Sequence, residues 1–243
     1  MRKILSILFL AMFLSACASL PFVEEKVEIE RNLYTNLPGS SGKVFAVKFD
    51  DTNDAHPQQG VESADVVYIT QVEAGLTRLM GIYSSNYPKV LGPIRSARIS
   101  DLSILGEYGK VGFLYSGAQS KMRPVIAEAN LMNLSAERNP PSIYFNDPAR
   151  RSPYSMMVKP NLLLEKATDV EFAKKPGWQN GPRAKGAKKI ISAKIDWPNA
   201  SYEAYWSATE RKFLLKHNGR ENIASSGVQL GSPMMVIQMV KIS

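Results

Sequence analysis

The sequence predicts an α/β protein: a mixed-sheet amino-terminal domain with flanking helices, followed by a smaller β-rich domain. Two β-rich runs, 64–72 and 76–83, flank a short turn and predict a hairpin. Apolar residues recur at helical spacing after Arg98, and strand-like runs return from Ala200 onward. The composition, 44% hydrophobic and 21% charged over 243 residues, suits one large or two small globular domains.

Charge and cysteine content narrow the classes of function. The net charge of +8 favours anionic partners. The chain has one Cys and two His, which excludes an internal disulfide and makes a thiolate zinc site implausible. We therefore expect no metal site and no cofactor. Nothing in the sequence indicates an oligomeric state.

The amino terminus predicts a lipoprotein leader. A positive start and an apolar run over residues 4–14, too short to span a bilayer comfortably, precede Leu14-Ser15-Ala16-Cys17. This resembles a lipobox, at which bacterial lipoproteins are cut and lipidated on Cys; a plain secretory signal with a chance Cys is the alternative. Cys17 would anchor the protein by acyl chains at the extracytoplasmic face of the cell membrane. That location argues against nucleic acid as partner.

Composition then divides the chain into consecutive segments. A mixed, partly flexible stretch follows Cys17 and reads as a tether, and a Lys-rich stretch without acidic residues separates the two β-containing regions. The predicted organisation is a signal peptide (1–16), a tether (17–42), an α/β domain (43–172), a basic linker or loop (173–194), and a β-rich domain (195–243). The apolar run 233–240 is predicted as a strand with nothing beyond it, so we expect this domain to be incomplete.

The first domain begins with a predicted strand over 44–49. Asp50 starts a polar loop that lacks the pattern of a calcium loop and is expected to be a solvated turn. In the hairpin, Glu73 and Arg78 lie near the turn. They are expected to form an exposed ion pair of little energetic value. The alternative is that they reach toward the arginines of the next segment.

The segment Leu91-Gly92-Pro93-Ile94-Arg95-Ser96-Ala97-Arg98 carries the functional prediction. Pro93 suits the first turn of a helix, and arginines three apart share a helix face. Helix amides together with Arg95, Ser96 and Arg98 would bind a carboxylate or phosphate. A strand at 111–115 then leads through the small polar loop at Ser116 into a predicted helix at 122–131, an arrangement that often contacts ligands.

Several of these motifs together resemble one bacterial lipoprotein family. The most specific are Glu-x-Gly-x-Thr-Arg over 73–78 and Gly-Pro-x-Arg-Ser-x-Arg over 92–98, and the match extends from about residue 45 to the end. The chain resembles the YerB family, which implies an α/β domain and a β-rich domain, both of unknown function. It departs from the family at His56, where relatives usually carry Arg, and at Tyr154, where they usually carry His.

Three hypotheses follow from these residues. The first is a module that binds an anionic cell-envelope polymer or small ligand through Arg78, Arg95, Ser96, Arg98, Glu73, Asp50 and Ser116. The second is an envelope hydrolase or transferase with Glu73 or Asp50 as general base, although no residue is assigned a catalytic role. The third is an ion network that only holds hairpin and helix together. Arginines converging on an open pocket would favour the first two, and arginines each closed off by a carboxylate would favour the third.

Overall fold

The computed structural model describes residues 29–179, 181–182 and 185–240. The predicted signal peptide, Cys17 and the first part of the predicted tether lie outside the described residues. Within the part described, no helix is long and apolar enough to cross a membrane. Residues 29–42 form turns and isolated bridges that lead into the first strand.

A five-stranded mixed sheet forms the centre of the first domain, in the order β2-β3-β1-β4-β5. Strands β1, β2 and β3 pair antiparallel, whereas β4 and β5 join them in parallel. The predicted hairpin is β2 and β3. The strands are β1 Phe45–Asp50, β2 Val66–Gln71, β3 Thr77–Tyr83, β4 Val111–Leu114 and β5 Leu131–Asn133.

Short helices and two further sheets complete the fold. Strand β6 pairs with β7, and the order of the carboxy-terminal sheet is β11-β10-β9-β8, with β12 also on β10. The helices are α1 Ile99–Leu105, α2 Arg123–Glu128 and α3 Asn161–Leu164. The remaining strands are β6 Tyr144–Asn146, β7 Met156–Val158, β8 Ser192–Trp197, β9 Ala200–Ser207, β10 Lys212–His217, β11 Arg220–Glu221 and β12 Gly231–Ser232. The predicted α/β class, with a smaller β-rich part, is confirmed.

Strand β1 is buried on both faces, and its side chains alternate between two separate cores. Phe45, Val47 and Phe49 belong to one core, whereas Ala46 belongs to the other, with Tyr108. By the same alternation Lys48 and Asp50 lie on the Ala46 face, and Asp51, which follows the strand, returns to the Phe49 face. Two consecutive carboxylates are thus directed to opposite sides of the sheet.

The carboxy-terminal sheet packs on the Phe49 face. Tyr202, Ala224 and Leu230 share the core that contains Phe49. The β8–β9 turn also docks on the β2–β3 turn, where the Asn199 amide donates to the Gly75 carbonyl over 3.1 Å. Gly75 has φ +65°, and an added Cβ would lie 2.6 Å from the Cβ of Pro198. A side chain at this position would therefore push the two turns apart.

Two predicted elements differ from the structure. The helix predicted after Pro93 begins only at Ile99. The apolar run 233–240 forms no strand and is largely exposed, with Met239 at 91%. Apolarity predicted a strand there, but strand formation needs a partner edge, and none of the described strands pairs with this run.

Candidate functional site

The segment that carries the arginines is extended, which corrects the prediction that Arg95 and Arg98 share a helix face. Strand β4 pairs with β1 only as far as Val47. Beyond that point the Arg95 amide donates to the Lys48 carbonyl over 2.8 Å, and the Asp50 amide donates to the Pro93 carbonyl over 2.9 Å. The segment therefore extends the sheet along the free edge of β1, because this edge satisfies its backbone groups before a helix begins.

The other side of the same segment binds the loop after β4. The Ser116 amide donates to the Arg95 carbonyl and the Ala97 amide donates to the Gly117 carbonyl, each over 3.0 Å. The hydroxyl oxygens of Ser96 and Ser116 lie 3.3 Å apart. Two predicted site residues from separate parts of the chain are thus neighbours.

Asp50 is the central carboxylate of the arginine cluster. Its side chain is fully buried, and Oδ2 lies 2.8 Å from Nε of Arg95, whose side chain is 26% exposed. Oδ1 accepts hydrogen bonds from the amide and the hydroxyl of Thr52 over 2.9 and 2.8 Å. A buried carboxylate therefore holds one face of Arg95 while leaving that arginine in contact with solvent.

Arg78 lies opposite Asp50 in the β1–β3 register and is only 6% exposed. Among the described residues its Nε and Nη1 have no hydrogen-bond partner. Burial lowers the pKa of Arg78 to about 10, Asp50 counteracts this, and Arg98 and Arg95 lower it further. A buried guanidinium with free donors is costly unless something accepts them.

Glu73 forms an ion pair with Arg98. The expected pair between Glu73 and Arg78 was therefore wrong. Nε of Arg98 donates to Glu73 over 2.8 Å, and this carboxylate is 58% exposed. Burial acts to raise the pKa of Glu73, but the Arg98 hydrogen bond, a backbone hydrogen bond and the charges of Arg98 and Arg78 together lower it. Arg98 also donates to the carbonyls of Ser96 and Ala97, so most of its donors are used.

A buried ion pair supports the cluster from beneath. Nζ of Lys48 lies 2.6 Å from Asp101, and both side chains are fully buried. The other Asp101 oxygen accepts the Arg98 amide over 2.7 Å, which fixes the start of α1. These two charges compensate each other. The remaining cluster therefore has three guanidiniums, those of Arg78, Arg95 and Arg98, against the two carboxylates Asp50 and Glu73.

A polar cleft of about 160 Å³ opens beside Arg95. Arg95 also donates to the Pro153 carbonyl over 3.4 Å, and Tyr154 lies beside its guanidinium. None of the described residues that line the cleft is acidic. The lining is Ile94, Arg95, Ser116, Asn146, Ser152, Pro153, Ser155 and Met156. Hydroxyl, amide and guanidinium donors are thus gathered where the predicted anion site was placed.

A second polar cluster, absent from the sequence predictions, surrounds Asp51. This carboxylate is fully buried rather than part of a solvated turn. Thr77 and Tyr202 donate their hydroxyls to it over 2.6 and 2.8 Å, and Gln58 donates its amide over 3.0 Å. Burial raises the pKa of Tyr202 well above its ordinary value, and Asp51 adds to the effect.

The only two histidines of the chain meet at this carboxylate. Nε2 of His56 lies 3.2 Å from Oδ1 of Asp51, and Nε2 of His217 lies 3.8 Å from Oδ2. Their rings stack with centroids 4.5 Å apart. Burial lowers the pKa of His217, with Asp51 acting to raise it and His56 acting to lower it. Alternation along β1 could have indicated where Asp51 points, but no local pattern links it to residues 202 and 217.

Residues 34–173 match the family model described as the N-terminal domain of a protein of unknown function, DUF3048. The chain belongs to the DUF3048 family. The match includes Asp50, Arg78, Arg95 and Arg98, and also Asp51 and His56, whereas His217 lies outside it.

A curated DUF3048-like relative is the Bacillus subtilis (strain 168) protein named "Putative lipoprotein YerB", 25% identical over 158 residues, or 58% of this chain and 48% of the relative. The chain thus spans about half the length of that relative. The crystal structure of YerB from Bacillus subtilis matches with a TM-score of 0.69 and 16% identity, covering 83% of this chain and 72% of the other. The YerB resemblance is confirmed, and it brings a fold without an activity.

Proposed function

We propose that this chain is a membrane-anchored extracytoplasmic lipoprotein that binds an anionic cell-envelope ligand through Arg95, Arg78 and the serine-lined cleft. The observation that carries the binding proposal is Arg78, a buried guanidinium whose Nε and Nη1 have no hydrogen-bond partner among the described residues. Arg95 provides the solvent-facing half of the same charge cluster. A carboxylate or phosphate group would accept from both.

The charge balance supports an anion at this place. Asp50 and Glu73 neutralise only part of the charge of the three guanidiniums. Apart from Arg95, the side chains with polar groups that line the cleft are neutral. A cleft of about 160 Å³ admits one small anionic group rather than a whole ligand. We therefore propose recognition of a terminal or pendant acidic group, with the rest of the ligand in solvent.

The anchoring half of the proposal has separate support. The Leu-Ser-Ala-Cys motif ending at Cys17 follows an apolar leader, and the related Bacillus subtilis protein bears a lipoprotein name. Acyl chains on Cys17 would place the cleft at the membrane surface, within reach of anionic envelope polymers.

The carboxylates favour binding over catalysis. A general base has to reach the substrate group whose proton it takes. Asp50 is fully buried beside Arg95 and Thr52, and Oε2 of Glu73 is bound by Arg98. We therefore propose that Asp50 and Glu73 orient the arginines, while Ser116 lines the cleft with the Ser96 hydroxyl 3.3 Å from its own.

The test is anion-induced stabilisation of the full chain in thermal unfolding with phosphate, citrate or muropeptides. A ligand that binds only the folded state stabilises it in proportion to ln(1 + [L]/Kd), so the parent should gain thermal stability with concentration. Arg95→Met should lose the gain. It also removes a partner of the buried Asp50 carboxylate and should lower the ligand-free midpoint, so the gain is measured against each variant's own midpoint without ligand. Arg123→Met removes a 60%-exposed arginine paired with Glu137 and is the matched control, which should keep the gain. A parent indifferent to every anion, or an Arg95→Met protein that responds like the control, would contradict the proposal.

A further inference from the structure

The histidine cluster on the opposite face of the sheet has the donor set of a metal centre. One ligand atom from each of Asp51, His56 and His217 can be chosen so that all three lie within 4.8 Å of one another. Two imidazoles and one carboxylate are ligands that Zn²⁺ and similar ions prefer. The geometry points to a binding site for one divalent transition-metal ion at these three residues.

An unpartnered buried atom is independent evidence for this site. His217 is 5% exposed, and its Nε2 has no hydrogen-bond partner among the described residues, although it is directed at Asp51. Within the described ranges, Oε1 of Gln58 and Oδ1 of Asn222 are likewise buried and without a partner. Buried polar atoms without partners are uncommon in native proteins, and a cation would use the free lone pair of the imidazole.

The surroundings of Asp51 match those of a metal ligand. Thr77 and Tyr202 donate to its oxygens, and hydrogen bonds of this kind orient ligating carboxylates. Thr77 comes from β3 and Tyr202 from β9, so two sheets hold the carboxylate in place. The carboxylate is therefore positioned before any ion arrives.

The distances require only a local adjustment. Ligand atoms around a tetrahedral Zn²⁺ lie roughly 3.3 Å apart, because each is about 2.0–2.2 Å from the metal. Nε2 of His56 and Oδ1 of Asp51 are already 3.2 Å apart, and Nε2 of His217 lies 3.8 Å from Oδ2. The two imidazole rings are stacked and nearly parallel, so at least one ring would have to turn for both lone pairs to meet one ion. His56 is 18% exposed and provides the route from solvent. Three protein ligands leave a fourth position for water.

This site is independent of the proposed anion site, because Asp50 and Asp51 point to opposite faces. It also joins two parts of the chain, since Asp51 and His56 precede β2 whereas His217 ends β10. Metal binding should consequently stabilise the contact between the two sheets as well as the local cluster.

The experiment titrates the full chain in detergent with Zn²⁺ or Co²⁺ alone, in a Cys17→Ser background that removes the only thiol. We expect about one ion per chain, a rise in thermal midpoint, and visible Co²⁺ absorption typical of low coordination number. His56→Arg supplies Asp51 with a cation but no lone pair and should weaken affinity by more than about 100-fold. His217→Gln should do the same.

Asp54→Asn is the matched control, since Asp54 is an exposed acid on the same loop and pairs with Arg151. It should bind the metal like the parent. Should His217→Gln fail to fold, His56→Arg decides alone, because this side chain lies at the rim. The proposal is overturned when the parent takes up neither metal up to about 1 mM, or when His56→Arg binds within about threefold of the parent.

Discussion

Asp50 and Asp51 are adjacent and both fully buried, but their surroundings differ. Positively charged donors are in excess around Asp50, whereas acceptors that have no partner among the described residues lie around Asp51. Around Asp50, three guanidiniums face two carboxylates, and in the described part of the chain two nitrogens of Arg78 and Oδ2 of Asp50 have no hydrogen-bond partner. Around Asp51, hydroxyl and amide donors already bind the carboxylate, and the described atoms without a partner are Nε2 of His217 and one oxygen each of Gln58 and Asn222. One face therefore suits an anion and the other suits a cation.

This difference follows from the alternation of one strand. Even-numbered residues of β1 face α1 and the arginine segment, whereas odd-numbered residues face the carboxy-terminal sheet. A single-residue step along the chain thus separates two chemical environments without any intervening domain boundary. The two carboxylates provide a direct way to test whether the environments differ energetically.

The largest effect is expected for Asp50→Asn. The amide keeps the shape but removes the charge that faces Arg78 and Arg95, leaving a buried guanidinium uncompensated. The unfolding free energy measured in urea should fall by about 3–5 kcal/mol. Asp169→Asn, which breaks a solvent-exposed pair with Lys110, should lose less than about 1 kcal/mol. A similar small loss for Asp50→Asn would show that Arg78 does not depend on this charge.

A smaller effect is expected for Asp51→Asn, measured the same way with a chelator present. The amide oxygen still accepts from Thr77 and Tyr202, whereas the new NH₂ group faces donors on its other side. We expect a loss of about 1–3 kcal/mol, the range for a buried polar group left unsatisfied. A loss as large as that of Asp50→Asn would break the comparison, because it would make both carboxylates equivalent structural anchors.

The smallest effect is expected for Arg78→Met. Methionine fills much of the volume of the arginine stem, and Asp50 retains Arg95 and Thr52 as partners. The unfolding free energy should therefore change by less than about 1 kcal/mol, since the buried charge is removed together with its unpaired donors. The anion-induced gain in stability should disappear. A loss above about 3 kcal/mol would make Arg78 a structural residue instead.

Sequence reasoning predicted what depends on local pattern. The β1 strand and the β2–β3 hairpin follow from β-rich runs bounded by turn residues, and the cluster of Asp50, Arg78 and Arg95 was named from their motifs. The prediction that a helix starts at Arg95 was wrong, because the backbone of this segment hydrogen-bonds to the free edge of β1. That edge is a tertiary feature, which local sequence does not indicate. The Asp51 cluster was missed because Tyr202 and His217 lie far along the chain and no periodicity links them to it.

The sequence separation of these contacts has a consequence for the order of folding. The arginine face closes over short loops, with Lys48 and Asp101 53 residues apart and Glu73 and Arg98 25 apart. The contact between Asp51 and Tyr202 spans 151 residues. Contacts between distant residues form late in folding. The arginine face of β1 should therefore pack before the face that contacts the carboxy-terminal sheet. Until then Asp51 is bound only by nearer residues such as Gln58 and Thr77, and its charge beside the uncovered part of that face discourages pairing with another chain.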